Sequence, residues 1–317
     1  MTFLMAGAAR PKNQNSKLII FGRGHWGTAL GGCLADSGFE AHFIDQNDPL
    51  DIPPKSLVVL ATPFSEVSGI LNRLSSRKDL LGVINASKGI DRETLKTFSS
   101  LASRMKFPIG TLTGPTFAKE LQEKKPTACV LAGKNKKWVA TWSRLFSNSY
   151  FRVYEHHDPR GVEVCAAVKN VLAIGAGISD GLGLGNNARA ALLTRGLMEM
   201  MKLCRILGGR PSSVFGLAGM GDLWLTATGD LSRNRTFGKL LADGLTPQAA
   251  VLKIGQTIEG LYTVRQVEKI RKKNKIVLPI CEEIFRVAIG GDSAKDALRR
   301  LMSRQTKLEE SSSLRIS

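Results

Sequence analysis

Between Gly219 and Gly238 the chain crowds Asp222, Thr226, Ser232, Arg233 and Asn234 into a stretch that reads as a polar, glycine-bounded loop. A guanidinium pairs with phosphate oxygens through a planar fork of donors, while Ser, Thr and Asn satisfy hydroxyls and the remaining oxygens. These residue types therefore suit a small phosphorylated polyol; a plain polar surface turn is the alternative. A second reactive feature is Lys169, in an apolar run from Gly161 to Gly177 where helical spacing puts it on one face with Cys165, Leu172 and Ala176. An amine among apolar groups loses hydration, so its pKa falls toward neutrality and it can exchange a proton with a substrate hydroxyl. A lysine snorkelling to solvent is the alternative, disfavoured because the run is otherwise nearly uncharged. Asn170 beside it could orient a hydroxyl. Lys88, just past the apolar run Gly82 to Ser87, could pair with a phosphate or stand solvated in a turn.

Such groups need a scaffold, and the N-terminal part supplies its signature. Lys17 to Phe21 reads as a short buried strand running into Gly22-Arg-Gly24-His25-Trp26-Gly27 and then a helix to Asp36. In that context Gly22 permits the tight turn, Gly24 lets a pyrophosphate approach the backbone, and Gly27 lets helix pack on strand. The helix N-terminus offers free N–H groups to the phosphates. A second strand, Glu40 to Ile44, ends at Asp45, where a carboxylate can accept hydrogen bonds from ribose hydroxyls and would repel a 2′-phosphate. The pattern predicts dinucleotide binding, NAD or NADP, with Asp45 favouring NAD.

Only residues 46 to 55 separate Asp45 from the next strand, Ser56 to Thr62, too few for a crossover helix and a further strand. The expected fold class is α/β: a Rossmann-type dinucleotide-binding domain, trimmed after its second strand, followed by an all-α substrate domain. Further expected elements are a helix over 66–74, a strand over 82–87, a helix from Arg92 to about Met105, and a strand over 150–154. Gly110 to Ala118 joins strand to helix, with Gly114 and Thr116 at the turn. The domain boundary falls near residue 158, giving domains of 17–157 and 158–306, with disordered extensions over 1–16 and 307–317. In the second domain, Ser179 to Asn187 reads as a glycine-broken connection, and Asn187 to Gly208 as a core helix carrying Arg195.

With 317 residues and 43% hydrophobic content, the chain can bury a substantial two-domain core. Its most apolar segment, Val162 to Ile178, is interrupted by Glu163 and Lys169 and reads as a buried helix, so no transmembrane segment is expected. The first sixteen residues lack the layout of a signal peptide. Five scattered cysteines, with no metal or redox spacing, fit a reducing cytoplasm. No metal is expected, since His156 and His157 point opposite ways on an extended chain. The net charge of +18 comes from short, separated runs such as Lys134 to Lys137 and Arg271 to Lys275. That distribution argues against nucleic acid as the main partner and for anionic substrates.

Taken together, Gly22 to Leu30, Ser87-Lys-Gly89, Gly114 to Ala118, Val168-Lys-Asn170 with Ala176 to Gly185, and Gly219 to Asn234 resemble NAD(P)-dependent glycerol-3-phosphate dehydrogenase, in order over residues 17 to 300. The resemblance implies reversible hydride transfer between sn-glycerol 3-phosphate and dihydroxyacetone phosphate, supplying glycerol phosphate for phospholipid synthesis. It implies Lys169 as the proton-transferring residue, with Lys88 and Asp222 beside it in catalysis. Gly114, Thr116, Ser232, Arg233 and Asn234 would line the substrate site with them. His25, Trp26, Lys88, Ala118, Arg233, Thr257 and Glu259 would join the glycine loop and Asp45 as cofactor contacts. Departures are His25 where the family has a small residue, the short segment after Asp45, and Asp45-Gln46 in place of basic residues. Two other readings stay open: a related 3-hydroxyacid or phosphogluconate-type dehydrogenase, and a catalytically silent dinucleotide sensor. A homodimer is also left open.

Overall fold

A computed structural model describes residues 17–45, 48–49 and 51–305. The expected extensions at 1–16 and 307–317 lie outside them. Strand β1, Leu18–Phe21, is wholly buried and leads through the glycine turn into helix α1, His25–Asp36. Strand β2, Ala41–Ile44, is followed by β3, Leu57–Leu60, helix α2, Phe64–Leu74, and β4, Gly82–Asn85. A short helix α3, Phe98–Leu101, precedes β5, Ile109–Thr113, and α4, Ala118–Gln122. Then come β6, Thr127–Ala132, α5, Lys136–Phe146, and β7, Phe151–His156. The seven strands run in the order β2-β1-β3-β4-β5-β6-β7, parallel except where β6 opposes β5.

β2 forms one edge of this sheet, and β3 pairs with the other side of β1, so among the described residues no further strand or helix lies between β2 and β3, as the short 46–55 segment predicts. Buried Ile52 pins that connection into the core against β1 and β3, and Arg77 donates to the Ile52 carbonyl at 2.9 Å.

The remainder is helical: α6, Pro159–Gly181, α7, Gly185–Ile206, α8, Asp222–Thr228, α9, Arg233–Ala242, α10, Pro247–Ile254, α11, Glu259–Asn274, α12, Pro279–Phe285, and α13, Ala294–Met302. By length and hydropathy α6 could cross a membrane, but it is buried within the fold as its central helix. Asp158 caps it, accepting from the Gly161 N–H at 3.2 Å. Buried Glu163 ties it to the sheet layer, accepting from the Thr111 hydroxyl at 2.7 Å and from the Ser99 amide at 3.0 Å.

Three expectations are corrected. No long helix spans Arg92 to Met105: the Asp91 side chain accepts from both the Thr94 amide and hydroxyl, a local turn that competes with helix, and only Phe98–Leu101 is α-helical. The 219–238 stretch is not a loop; it holds all of α8 and the start of α9, joined by a turn capped by Ser232, which accepts from the Arg235 N–H. The break after Ser179 is shorter than expected, since α6 continues to Gly181 and α7 begins at Gly185. Arg195 is exposed on α7, whose other face is buried through Leu193, Met200 and Leu203.

Candidate active site

A cleft of about 570 Å³ opens where the carboxyl ends of β1, β3 and β4 meet α6, α8, α9 and the start of α11. Ligands of open α/β sheets bind at that end of the strands. One wall is the glycine loop. Gly22 adopts φ +99°, and a Cβ there would stand 2.8 Å from the Ala61 carbonyl oxygen, so only glycine makes this turn. A Cβ at Gly27 would lie 2.1 Å from the Gly22 oxygen, which enforces helix against loop. At Gly24, by contrast, a Cβ would meet nothing within 4 Å, because the residue faces the open cleft. The first turn of α1 has no side-chain cap and no acidic residue, leaving its N–H groups for an anion. His25 and Trp26 line the same wall, and the Trp26 indole donates to the Ala86 carbonyl at 3.1 Å. This wall fits a dinucleotide pyrophosphate.

The opposite wall comes from helices distant in sequence. Lys169 on α6 donates from Nζ to Asp222 Oδ1 at 2.9 Å and to the Thr226 hydroxyl at 2.7 Å. Lys88, beyond β4, donates to the other carboxylate oxygen, Asp222 Oδ2, at 2.7 Å. One carboxylate on the first turn of α8 thus bridges two ammonium groups, and all three line the cleft. Burial lowers the Lys169 pKa to about 8; the Asp222 carboxylate opposes this and the Lys88 charge reinforces it. Burial pushes the Asp222 carboxyl upward, but the two ammoniums prevail and hold it below its ordinary value. A lysine poised near neutrality, fixed by two acceptors, can take or give a proton at a bound oxygen.

Beside this pair, the Gly260 amide donates to Asn234 Oδ1 at 3.0 Å, which turns Asn234 Nδ2 toward Asn170 Oδ1 at 2.9 Å. The Asn170 amide is thereby oriented, and its own Nδ2 is left buried with no partner among the described residues. A buried donor without an acceptor costs stability unless a ligand supplies one. Ser232, Arg233, Thr257 and Glu259 complete this side, with Thr116 and Ala118 at the rim beyond β5. Burial raises the Glu259 pKa, while Lys88, Lys169 and Arg233 pull it back.

Of the residues singled out from sequence, Gly114 lies behind the lining, its carbonyl accepting from the Thr116 hydroxyl at 3.2 Å. Asp45 stands exposed at the end of β2, outside the main cleft. Lining residues not anticipated include Thr62, Pro63, Ser87 and Gln256. The first three follow β3 and β4, so the strand-end rule would have found them. His156 Nδ1 accepts from the Asp158 N–H at 3.1 Å.

Comparison with known proteins agrees with this architecture. Family models described as the N-terminus and C-terminus of NAD-dependent glycerol-3-phosphate dehydrogenase match residues 52–139 and 158–299. A glycerol-3-phosphate dehydrogenase [NAD(P)+] of Synechococcus sp. (strain RCC307) is 39% identical, covering 92% of this chain and 98% of its own. One from Legionella pneumophila is also 39% identical, over 93% of this chain and all of its own. The crystal structure of glycerol-3-phosphate dehydrogenase from Coxiella burnetii superposes with a TM-score of 0.83 at 32% identity, covering 91% of this chain and 99% of that one. The chain belongs to the NAD(P)-dependent glycerol-3-phosphate dehydrogenase family.

Proposed function

We propose that the protein interconverts sn-glycerol 3-phosphate and dihydroxyacetone phosphate, with Lys169 as the proton-transferring residue, and so supplies glycerol 3-phosphate for phospholipid synthesis in the cytoplasm. The observation that carries this is the cluster of buried Lys169 and Asp222 with half-buried Lys88, facing the glycine loop across one cleft. The nicotinamide of NAD(P)H, when bound, supplies the hydride. The residues do the rest. Arg233 and Ser232 at the start of α9 would hold the substrate phosphate, and the Asn170 Nδ2 donor would meet one of its oxygens. Lys88 and Asp222 would fix the remaining oxygens, and Lys169 would stabilise and protonate the alkoxide developing at C2 on reduction. In oxidation the neutral Lys169 takes the hydroxyl proton.

Trp26, His25, Lys88, Ala118, Arg233, Thr257 and Glu259 are assigned to the cofactor, with Asp45 at the adenosine ribose favouring NAD. We assign residues 17–157 to dinucleotide binding and 158–306 to substrate binding and catalysis. A homodimer is compatible with this division. A 3-hydroxyacid dehydrogenase is the second reading, since Arg233, Ser232 and the unpaired Asn170 donor in the cleft suit a phosphate but could also hold a carboxylate. The test is a substrate panel with NADH: turnover of dihydroxyacetone phosphate, and none of unphosphorylated 2-keto or 3-keto acids, is expected. Cofactor binding without turnover of any triose phosphate would favour the silent sensor instead.

A further inference from the structure

The glycine loop carries a cation at an unusual place. Arg23 lies between the first two glycines, and its guanidinium turns back toward the end of β2, donating to the Phe43 carbonyl at 3.2 Å. It also sits 3.5 Å from the Asp48 carboxylate, in a pair whose side chains are 59% and 42% exposed. That same Asp48 oxygen accepts from the Asp45 amide at 2.8 Å. The guanidinium and the backbone of Asp45 therefore share one partner, which places Arg23 beside Asp45, the residue assigned above to the adenosine ribose. The backbone bearing it is fixed, since the Arg23 carbonyl accepts from the Thr28 hydroxyl at 3.1 Å.

The surroundings are acidic. Asp45 and Asp48 stand at the end of β2, and Glu66 on the first turn of α2 is close enough for burial and the Asp45 charge to raise its pKa. Left alone, these carboxylates would repel a 2′-phosphate strongly. We propose that Arg23 is a second determinant of cofactor choice, its guanidinium receiving the 2′-phosphate of NADP(H) and offsetting the exclusion exerted by Asp45. A guanidinium offers a phosphate two parallel charge-assisted hydrogen bonds. The partner it gives up is weak, because an ion pair this exposed is screened by water and salt and contributes little. Asp45 thus sets the preference for NAD, and Arg23 keeps NADP in use.

This inference rests on the dehydrogenase reading, and the test separates the two. Equilibrium dissociation constants for NADH and NADPH are measured by fluorescence titration of the full chain, alongside Arg23→Gln and Asp48→Asn variants, with kcat/KM for each cofactor as a second readout. Arg23→Gln is expected to weaken NADPH binding about tenfold or more, one charge-assisted contact, while NADH stays within about twofold. Asp48→Asn is expected to tighten NADPH. Equal weakening of both cofactors, or NADPH binding unchanged in Arg23→Gln, overturns the inference and leaves the dehydrogenase reading standing. Failure of the wild-type protein to bind either dinucleotide overturns both.

Discussion

At the scale of residues, Asp222 is the pivot. Its two oxygens hold Lys88 and Lys169 at 2.7 and 2.9 Å, so one buried carboxylate fixes the position of both ammoniums and opposes the lowering of the Lys169 pKa by burial. With the Lys169 pKa lowered to about 8, the proton transfer proposed for it needs the protonated amine for reduction of the ketone and the neutral one for oxidation. The rate of reduction is therefore expected to fall as pH rises through about 8, and the rate of oxidation to rise through the same window. Matched pH profiles in the two directions check this; two profiles of the same sign would remove Lys169 from proton transfer. Asp222→Asn removes the charge that raises the Lys169 pKa and leaves burial and Lys88 to lower it further. The limb of the profile should move to lower pH, and the loss of the buried partner should cost about 3–5 kcal/mol in chemical denaturation. An unmoved limb would mean that Lys169 does not feel this carboxylate.

At the scale of elements, the site depends on how closely α6 and α9 cross. A Cβ at Gly238 would lie 2.1 Å from the Ile174 carbonyl oxygen, and one at Gly177 would lie 2.0 Å from that of Arg235. This contact of backbones sets Asn170 beside Asn234 and carries Arg233 to the cleft. Gly238→Ala forces the helices apart and is expected to cost about 1–3 kcal/mol. Because α9 bears the residues proposed to hold the phosphate, KM for dihydroxyacetone phosphate should rise as well. Urea titration and steady-state kinetics check both effects, and an unchanged KM would argue that α9 does not hold the phosphate.

What could be read from sequence divides along the same line. The strand, glycine turn and helix from Leu18 to Asp36 are consecutive, so their geometry is written in local spacing. The helix α8 was hidden because Gly219, Gly221 and Gly229 around it carry the signals of a loop, and tertiary packing of Leu223 and Ala227 overrides them. The bond from Lys169 to Asp222 spans 53 positions, and no periodicity reports a contact of that range. The resemblance of motifs in order carried those residues together; their hydrogen bonds and the unpaired Asn170 donor needed coordinates. Strand β6 and helix α5 escaped notice because the basic run of Lys134 to Lys137 masks the start of a helix whose buried face is Trp138, Val139, Trp142 and Phe146.

At the scale of the whole molecule, a trimmed, mostly parallel sheet and a helical layer around α6 meet over a cleft lined by Lys88, Lys169 and Arg233. The net charge of +18 surrounds a reaction whose substrate and cofactor are both anionic. Charge of this sign draws in phosphates over distances that salt screens, with a Debye length of about 8 Å at physiological ionic strength. We expect kcat/KM for dihydroxyacetone phosphate to fall several-fold between low and high salt, by about the factor that weakens electrostatic steering, with kcat much less affected. A salt-independent kcat/KM would show that the surface charge serves something other than substrate capture.

The role proposed for Lys169, in its cleft, is to move the proton of the glycerol-3-phosphate dehydrogenase reaction. The measurement that bears on it most directly is the oxidation of NADH by dihydroxyacetone phosphate, followed by absorbance for the wild-type protein and Lys169→Ala side by side. Ready turnover by the wild type is expected, and a loss of about 10²-fold or more in kcat for the variant, with an unchanged circular dichroism spectrum. Wild-type kcat in a folded Lys169→Ala protein, or no turnover of dihydroxyacetone phosphate by the wild type, would contradict it.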